Sequence, residues 1–340
     1  MQDRVDQDTN ARRRPVTGRW RWRTRLGVLA VAANLVVIGL MAGPSQAQQP
    51  PSLCSGSAQG LTISGDLAVP AGEACELIDI TVTGNVVVRA SAVLLLEDTT
   101  VQGDLTLRED AFASTLGTQV GGAVVLRKAL GVVLEGSDIA GGADSRNSGF
   151  VFSDGSTFGG RVFSANGETV IYSGWVDGDI RTNSDILTDV HDTVVTGAVN
   201  VSAAASGSLV CESEIDGDAV FRDSGELVQL GAGALSDCAF NVFAGRLVLR
   251  GNDALIGVGG NVVRGNLVCE DNPAQPSGSD NRIRGQATGQ CADLSPAAAS
   301  LLRGAQPADA ETRVADVKEQ IDKRIAEAKA AIATTGESEL

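Results

Sequence analysis

The stretch WVDGDIR (175–181) brings together the residue types that most resemble a site. If Val176 is buried, strand parity turns Trp175, Asp177, Asp179 and Arg181 outward along one strand. Arg161 and Phe163 then lie beside them on the preceding repeat. Neighbouring carboxylates would stand about 7 Å apart, a separation compatible with acid–base work on a glycosidic bond. An aromatic ring next to acids can also grip a sugar. These six residues form a candidate ligand-binding face. The competing reading is a solvated surface, because Asp66, Asp104, Asp216 and Asp218 recur beside other glycines with no aromatic partner. Beyond residue 47 the chain holds one Trp, one Tyr and eight Phe, few for a carbohydrate enzyme. No catalytic residue is assigned, and enzymatic activity is not expected.

Other chemistry finds little material. His191, the single histidine, falls in the turn DVHDT and reads as an exposed corner residue. No GxSxG, P-loop or dinucleotide fingerprint is present, since GAGALS (231–236) and GVGGNV (257–262) fail the spacing. Acidic corners at Glu97, Asp98, Glu135, Asp154, Asp192 and Glu212 could suggest calcium. They are interrupted by Leu116 with Gly117 and by Tyr172 with Ser173. The sequence implies no metal and no cofactor.

Residues 1–47 carry 8 basic and 3 acidic side chains, leaving 19 basic against 39 acidic in the remainder, a net of −20. Such a surface disfavours nucleic acid and anionic lipid. The basic run RRRPVTGRWRWRTR (12–25), the apolar LGVLAVAANLVVIGLMAG (26–43) and SQA (45–47) predict a signal peptide cleaved after Ala47. A membrane association is expected only if that segment is retained. All six cysteines (54, 75, 211, 238, 269 and 291) lie in the exported part, which predicts disulfides in an oxidising compartment.

The phrase around WVDGDIR has relatives throughout the chain: VTGNVVV at 82, VQGDLTL at 101, IDGDAVF at 215 and VRGNLVC at 263. Twelve glycines (65, 84, 103, 122, 141, 160, 178, 197, 217, 245, 265 and 285) recur at steps of mostly 19 or 20 residues. So short a period means a solenoid. An apolar residue always stands two positions before the glycine, from Ile63, Val82 and Val101 to Val263 and Ile283. That alternation predicts a strand with one buried face. A second apolar strand precedes each phrase, as in AVLLLEDTTV (92–101). The fold class is therefore all-β: a single-stranded parallel β-helix of about twelve 19-residue coils, with an α-helical C-terminal tail.

Four positions before the glycine, Thr99, Thr118, Ser137, Ser156, Thr193, Ser213, Asn241, Asn261 and Asn281 share parity with the buried column. They are expected to point inward and bond up the stack, with Gly174 breaking the ladder. The coil at 142–149 has Ser145 in place of an apolar residue and is expected to pack loosely. The step of 28 between Gly217 and Gly245 predicts about nine looped-out residues near 224–237. Register also selects the disulfides. Cys54 with Cys75, Cys211 with Cys238, and Cys269 with Cys291 each fall within two residues of the same column on adjacent coils. A rise of about 4.8 Å per coil suits the Cα separation of a disulfide.

After Cys291 the pattern changes. SPAAASLL (295–302) reads as a short capped helix. The segment 310–333 reads as an amphipathic one, with Val314, Val317, Ile321, Ile325, Ala328 and Ile332 on one face. That helix is expected as a semi-independent tail or a cap on the last coil, with partner recruitment as the alternative. The organisation read from sequence is a signal peptide (1–47), a parallel β-helix domain (48–292) and a helical tail (293–340).

The V-x-G-x-V repeat resembles that of bactofilins, small bacterial proteins that stack such coils and polymerise end to end. The closing phrase GNLVCEDNPAQPSGSDNRIRGQATGQC (265–291) is similar to the end of secreted bacterial β-solenoid proteins of uncharacterised function. The resemblance implies a non-enzymatic scaffold or interaction surface, secreted or associated with the cell envelope. The alternative is a carbohydrate-binding or carbohydrate-active protein using the face around 161–181. Expected partners are a cell-wall or extracellular polysaccharide or another protein, and not nucleic acid.

Overall fold

Each glycine of the recurring phrase marks a corner. At Gly103 the chain turns from the two-residue strand Thr100–Val101 into Leu105–Leu107. A second corner, with Asp110 at φ 54°, leads into Phe112–Leu116; a third, with Gly117 at φ 59°, leads into Gln119–Val120. Three strands per coil make three parallel sheets: sheet A (after the glycine, thirteen strands), sheet B (eleven longer strands) and sheet C (before the glycine, twelve strands). This is a parallel β-helix of about twelve coils, seen in a computed structural model that describes residues 50–233, 238–296 and 310–340.

Stacking in register explains the sequence columns. Val82 pairs with Val101, and Val101 with Val120, one coil apart. The column from Ile63 to Val263 is buried, and Ile283 in the last coil is half-buried. The glycine column has a separate cause: a Cβ on Gly217 would lie 2.6 Å from the Gly197 carbonyl oxygen. Coils touch backbone to backbone at that corner, so any side chain would pry them apart.

The inward polar column forms the ladder expected of it. Ser137 N–H donates to Ser156 Oγ (3.0 Å), Ser213 N–H to Asn241 Oδ1 (2.9 Å), and Asn241 Nδ2 to Asn261 Oδ1 (2.9 Å). A second ladder, at the corner between sheets A and B, runs through Ser224, Asn252, Asn272 and Gln290. Ser145 points inward as expected, yet Ala143–Arg146 pairs regularly on both sides. The polar interior continues through Ser164 and Thr182, whose hydroxyl meets that of Thr188 at 2.8 Å. The irregularity spans three coils rather than one.

Sheet B is covered. Its outer side chains Val93, Leu95, Phe112, Val133, Phe150, Phe152 and Val170 pack against Val314, Val317, Ile321, Ala328 and Ile332 of helix α1 (Ala310–Thr335). Arg313 meets the strand Leu187–His191. Past the helix's other end, Gly336 and Ser338 bond the first coil: Ser57 N–H donates to Gly336 O (2.9 Å) and Ser338 N–H to Ser57 O (2.8 Å). The helix is thus neither a free tail nor a cap on the last coil. An apolar outer sheet face needs a cover, and α1 supplies it in cis. The short helix expected at 295–302 lies, from residue 297, outside the described residues.

Two further expectations are corrected. His191 is half-buried rather than exposed, with its ring 4.7 Å from that of Tyr172, and burial pushes its pKa down. The looped insertion begins later than expected, because Gly225–Gly231 is a regular strand paired with Asp253–Gly259. The extra residues follow Gly231, where Cys238 packs on Leu209, Cys211 and Leu227 of the outer face.

The three disulfides join Cys54 to Cys75, Cys211 to Cys238 and Cys269 to Cys291, with Cα separations of 5.7, 5.2 and 5.1 Å. Among the described residues no helix is long and apolar enough to cross a membrane. The expected signal peptide lies outside those residues.

Candidate functional site

The WVDGDIR stretch is not one strand. Trp175–Val176 belongs to sheet C and Ile180–Asn183 to sheet A, with the chain turning at Gly178 between them. Strand parity therefore does not carry through the glycine, and the six candidate residues divide between two faces. Trp175, 47 % exposed, flanks Thr157 and Val194 on sheet C. A depression of about 470 Å³ on that sheet is lined by Gln102, Gln119, Asp138 and Thr157, and stops short of the indole. Arg161, Phe163 and Arg181 lie on sheet A, where Phe163 and Arg181 are register partners.

The two acids are already engaged. Asp177 Oδ1 accepts the Thr196 hydroxyl at 2.9 Å. Asp179 Oδ1 accepts the Ala198 N–H at 2.9 Å, and its Oδ2 accepts Arg181 Nη2 at 2.7 Å. Those bonds, the backbone one foremost, hold the Asp179 carboxyl below the usual carboxylate range. Asp66, Asp104 and Asp218 do the same at other coils, accepting the N–H groups of Asn85, Ala123 and Arg246 at 2.7–2.8 Å. Acids directly after the glycine are therefore not merely a solvated face. Each satisfies a backbone donor of the next coil that the corner leaves unpaired.

Sheet A gathers groups that the outward reading missed. Asp144 Oδ1 lies 2.7 Å from Arg127 Nη1 and 2.9 Å from Arg146 Nε, and its Oδ2 lies 3.6 Å from Arg161. The Arg146 hydrogen bond is the main cause of its lowered pKa. The guanidinium carbons of Arg146 and Arg161 sit 5.0 and 5.7 Å from the Phe163 ring centroid. Phe163 thus holds cations rather than offering a bare platform to a sugar. A signal for this cluster existed: Asp144, Phe163 and Arg181 each stand three residues after a repeat glycine. Among the described residues, no three His, Cys, Asp or Glu side chains are placed to hold a metal ion.

No protein-family model matches the chain, and no similar chain was found among curated proteins or solved structures. The bactofilin resemblance accordingly rests on the repeat itself.

Proposed function

We propose that this protein is an exported, non-enzymatic β-solenoid, secreted or envelope-associated, that acts as a structural scaffold or interaction surface. The observation that carries this reading is the employment of the acids nearest Trp175. Asp177 and Asp179 bond across coils, which suits a stacking role. Three disulfides support an oxidising, extracellular setting.

The ends favour a rod of set length over an end-to-end polymer. Pro50 and Pro51 precede the first strand of sheet A, and the tail at Gly336 and Ser338 pairs the first strand of sheet B. Pro273 and Pro276 lie in the final coil. Proline and a paired edge both block further strand addition.

The test is incubation of the protein with a panel of polysaccharides. No change in polymer length is expected. Cleavage that disappears in Asp177→Asn would overturn the reading in favour of a carbohydrate-active protein.

A further inference from the structure

We propose that a row of arginines along sheet A binds a linear polysaccharide bearing one carboxylate per sugar; this rests on the interaction-surface reading above. Arg89, Arg108, Arg127 and Arg146 each stand five residues after a repeat glycine, on four successive coils. They follow directly on the stacked residues Val88, Leu107, Leu126 and Ser145, and Arg127 and Arg146 are register partners. The row therefore repeats at about 4.8 Å, the rise of the solenoid.

The guanidiniums of Arg89 and Arg108 are available, whereas Arg127 Nη1 also donates to Leu126 O (2.8 Å) and Asp144 O (2.9 Å), and Arg146 bonds both Asp144 oxygens. Arg89 and Arg108 are exposed, and among the described residues neither makes an ion pair. Arg127 and Arg146 share the single carboxylate of Asp144 and keep side-chain exposures of 38 % and 50 %. Arg108, Arg127, Arg146 and Lys128 line a groove of about 540 Å³ in which Glu109 is the one acid. Like charges on adjacent strands repel, and the inner wall needs nothing from these positions. Asp144 offsets the charges of Arg127 and Arg146. The part of the row that the fold does not explain is therefore Arg89 and Arg108, two cations without an ion pair among the described residues on a chain of net charge −15, and these suit a ligand.

Spacing and charge choose the ligand. An arginine accepts one carboxylate in a two-pronged bond, so one uronate per coil matches one arginine per coil. Duplex DNA carries a charge about every 1.7 Å and would press that density against an acidic body. The Phe163 ring, overlain by Arg146 and Arg161, steadies the end of the row.

Affinity electrophoresis of the full chain tests this, with polygalacturonate, dextran or duplex DNA cast in the gel. Polygalacturonate retards the protein, progressively less as salt rises, and dextran does not. Arg89→Glu with Arg108→Glu weakens retardation about tenfold, the loss of two exposed ion contacts. The charge-matched pair Arg282→Glu with Arg284→Glu, on exposed residues of the last coil, stays within about twofold because screening limits its reach. Thermal melts check that both variants fold, and Arg89→Gln with Arg108→Gln repeats the result without charge reversal. No retardation of the unmodified protein, equal loss in both charge variants, or tighter retention by DNA overturns the proposal. Equal retardation by dextran overturns it while leaving the interaction-surface reading standing. Shortening of the polymer would instead remove the non-enzymatic reading.

Discussion

Arg313 of α1 grips Asp189 of sheet B with two bonds of 3.0 Å, Nε to Oδ2 and Nη2 to Oδ1, across 124 residues of sequence. Their side chains are 6 % and 1 % exposed. Arg313 Nη1 also donates to Ser206 O at 2.8 Å, and Asp189 Oδ1 accepts the Leu209 N–H at 2.9 Å. The pair fixes where the helix begins on a sheet whose outer face is mostly apolar.

Removing only the cation should free the helix. Arg313→Leu strands a buried carboxylate, at a cost of about 3–5 kcal/mol. Limited proteolysis should then remove residues 310–340 faster, and adding Asp189→Leu should restore much of the resistance. A single Arg313→Leu variant as resistant as the unmodified protein would show that apolar packing alone docks α1.

Docking should also weaken as pH rises. Burial, with Asp316, Asp189 and Asp185 nearby, pushes Glu168 up to about 7, against an ordinary 4.5. The folded state thus holds a proton that the unfolded chain releases, so stability is full below 4.5 and falls as pH climbs through 7. Burial lowers His191 from 6.5, which opposes this slope below pH 6.5. Comparing melts of Glu168→Gln and the unmodified protein across pH 4.5–7.5 isolates the carboxyl. The variant should lose the downward slope, and an unchanged slope would remove Glu168 from the account.

Register is tested by neighbouring residues. Val101 is fully buried and Gln102 exposed. Val101→Asp should cost upwards of about 4 kcal/mol, through an unpaired buried charge, and Gln102→Asp almost nothing. Similar melting temperatures for the two would contradict the inward column.

The asparagine ladder should be similarly sensitive. Asn261 accepts from Asn241 N and Nδ2, and donates to Leu230 O at 2.8 Å and to Asn281 Oδ1 at 3.2 Å. Asn261→Ala removes these four bonds from a corner in which Asn241 is buried and Asn281 half-buried, for a loss of about 2–3 kcal/mol. Chemical denaturation measures it, and a loss within error of zero would mean that the corner rehydrates.

The coils, the inward ladder and the disulfides were legible because a repeat fixes register: one correct assignment at Val101 assigns every coil. The docking of α1 was less legible, though a signal stood in the text. VLLLE and GVVLE do not alternate, which marks strands covered on both faces. The cover was readable; its identity was not, since Arg313 and Asp189 share no local pattern. The candidate site failed at Gly178 for a definite reason. Parity holds along a strand, and a corner between two sheets resets it, so Trp175 and Arg181 part company. The corner carboxylates escaped notice because a side chain bonded to backbone and one left in water look alike in sequence.

Helix α1 also acts as a ruler. From Arg313 to Thr335 it spans about 33 Å, and the eight sheet B strands beneath it, from Gly56–Gln59 to Leu187–His191, span about 34 Å. One coil more or fewer under the helix shifts its anchors by roughly three helical residues, most of a turn. Arg313 could then no longer reach Asp189 while Gly336 and Ser338 still met Ser57. Growth of this solenoid by repeat duplication is therefore confined to the coils beyond Asp189.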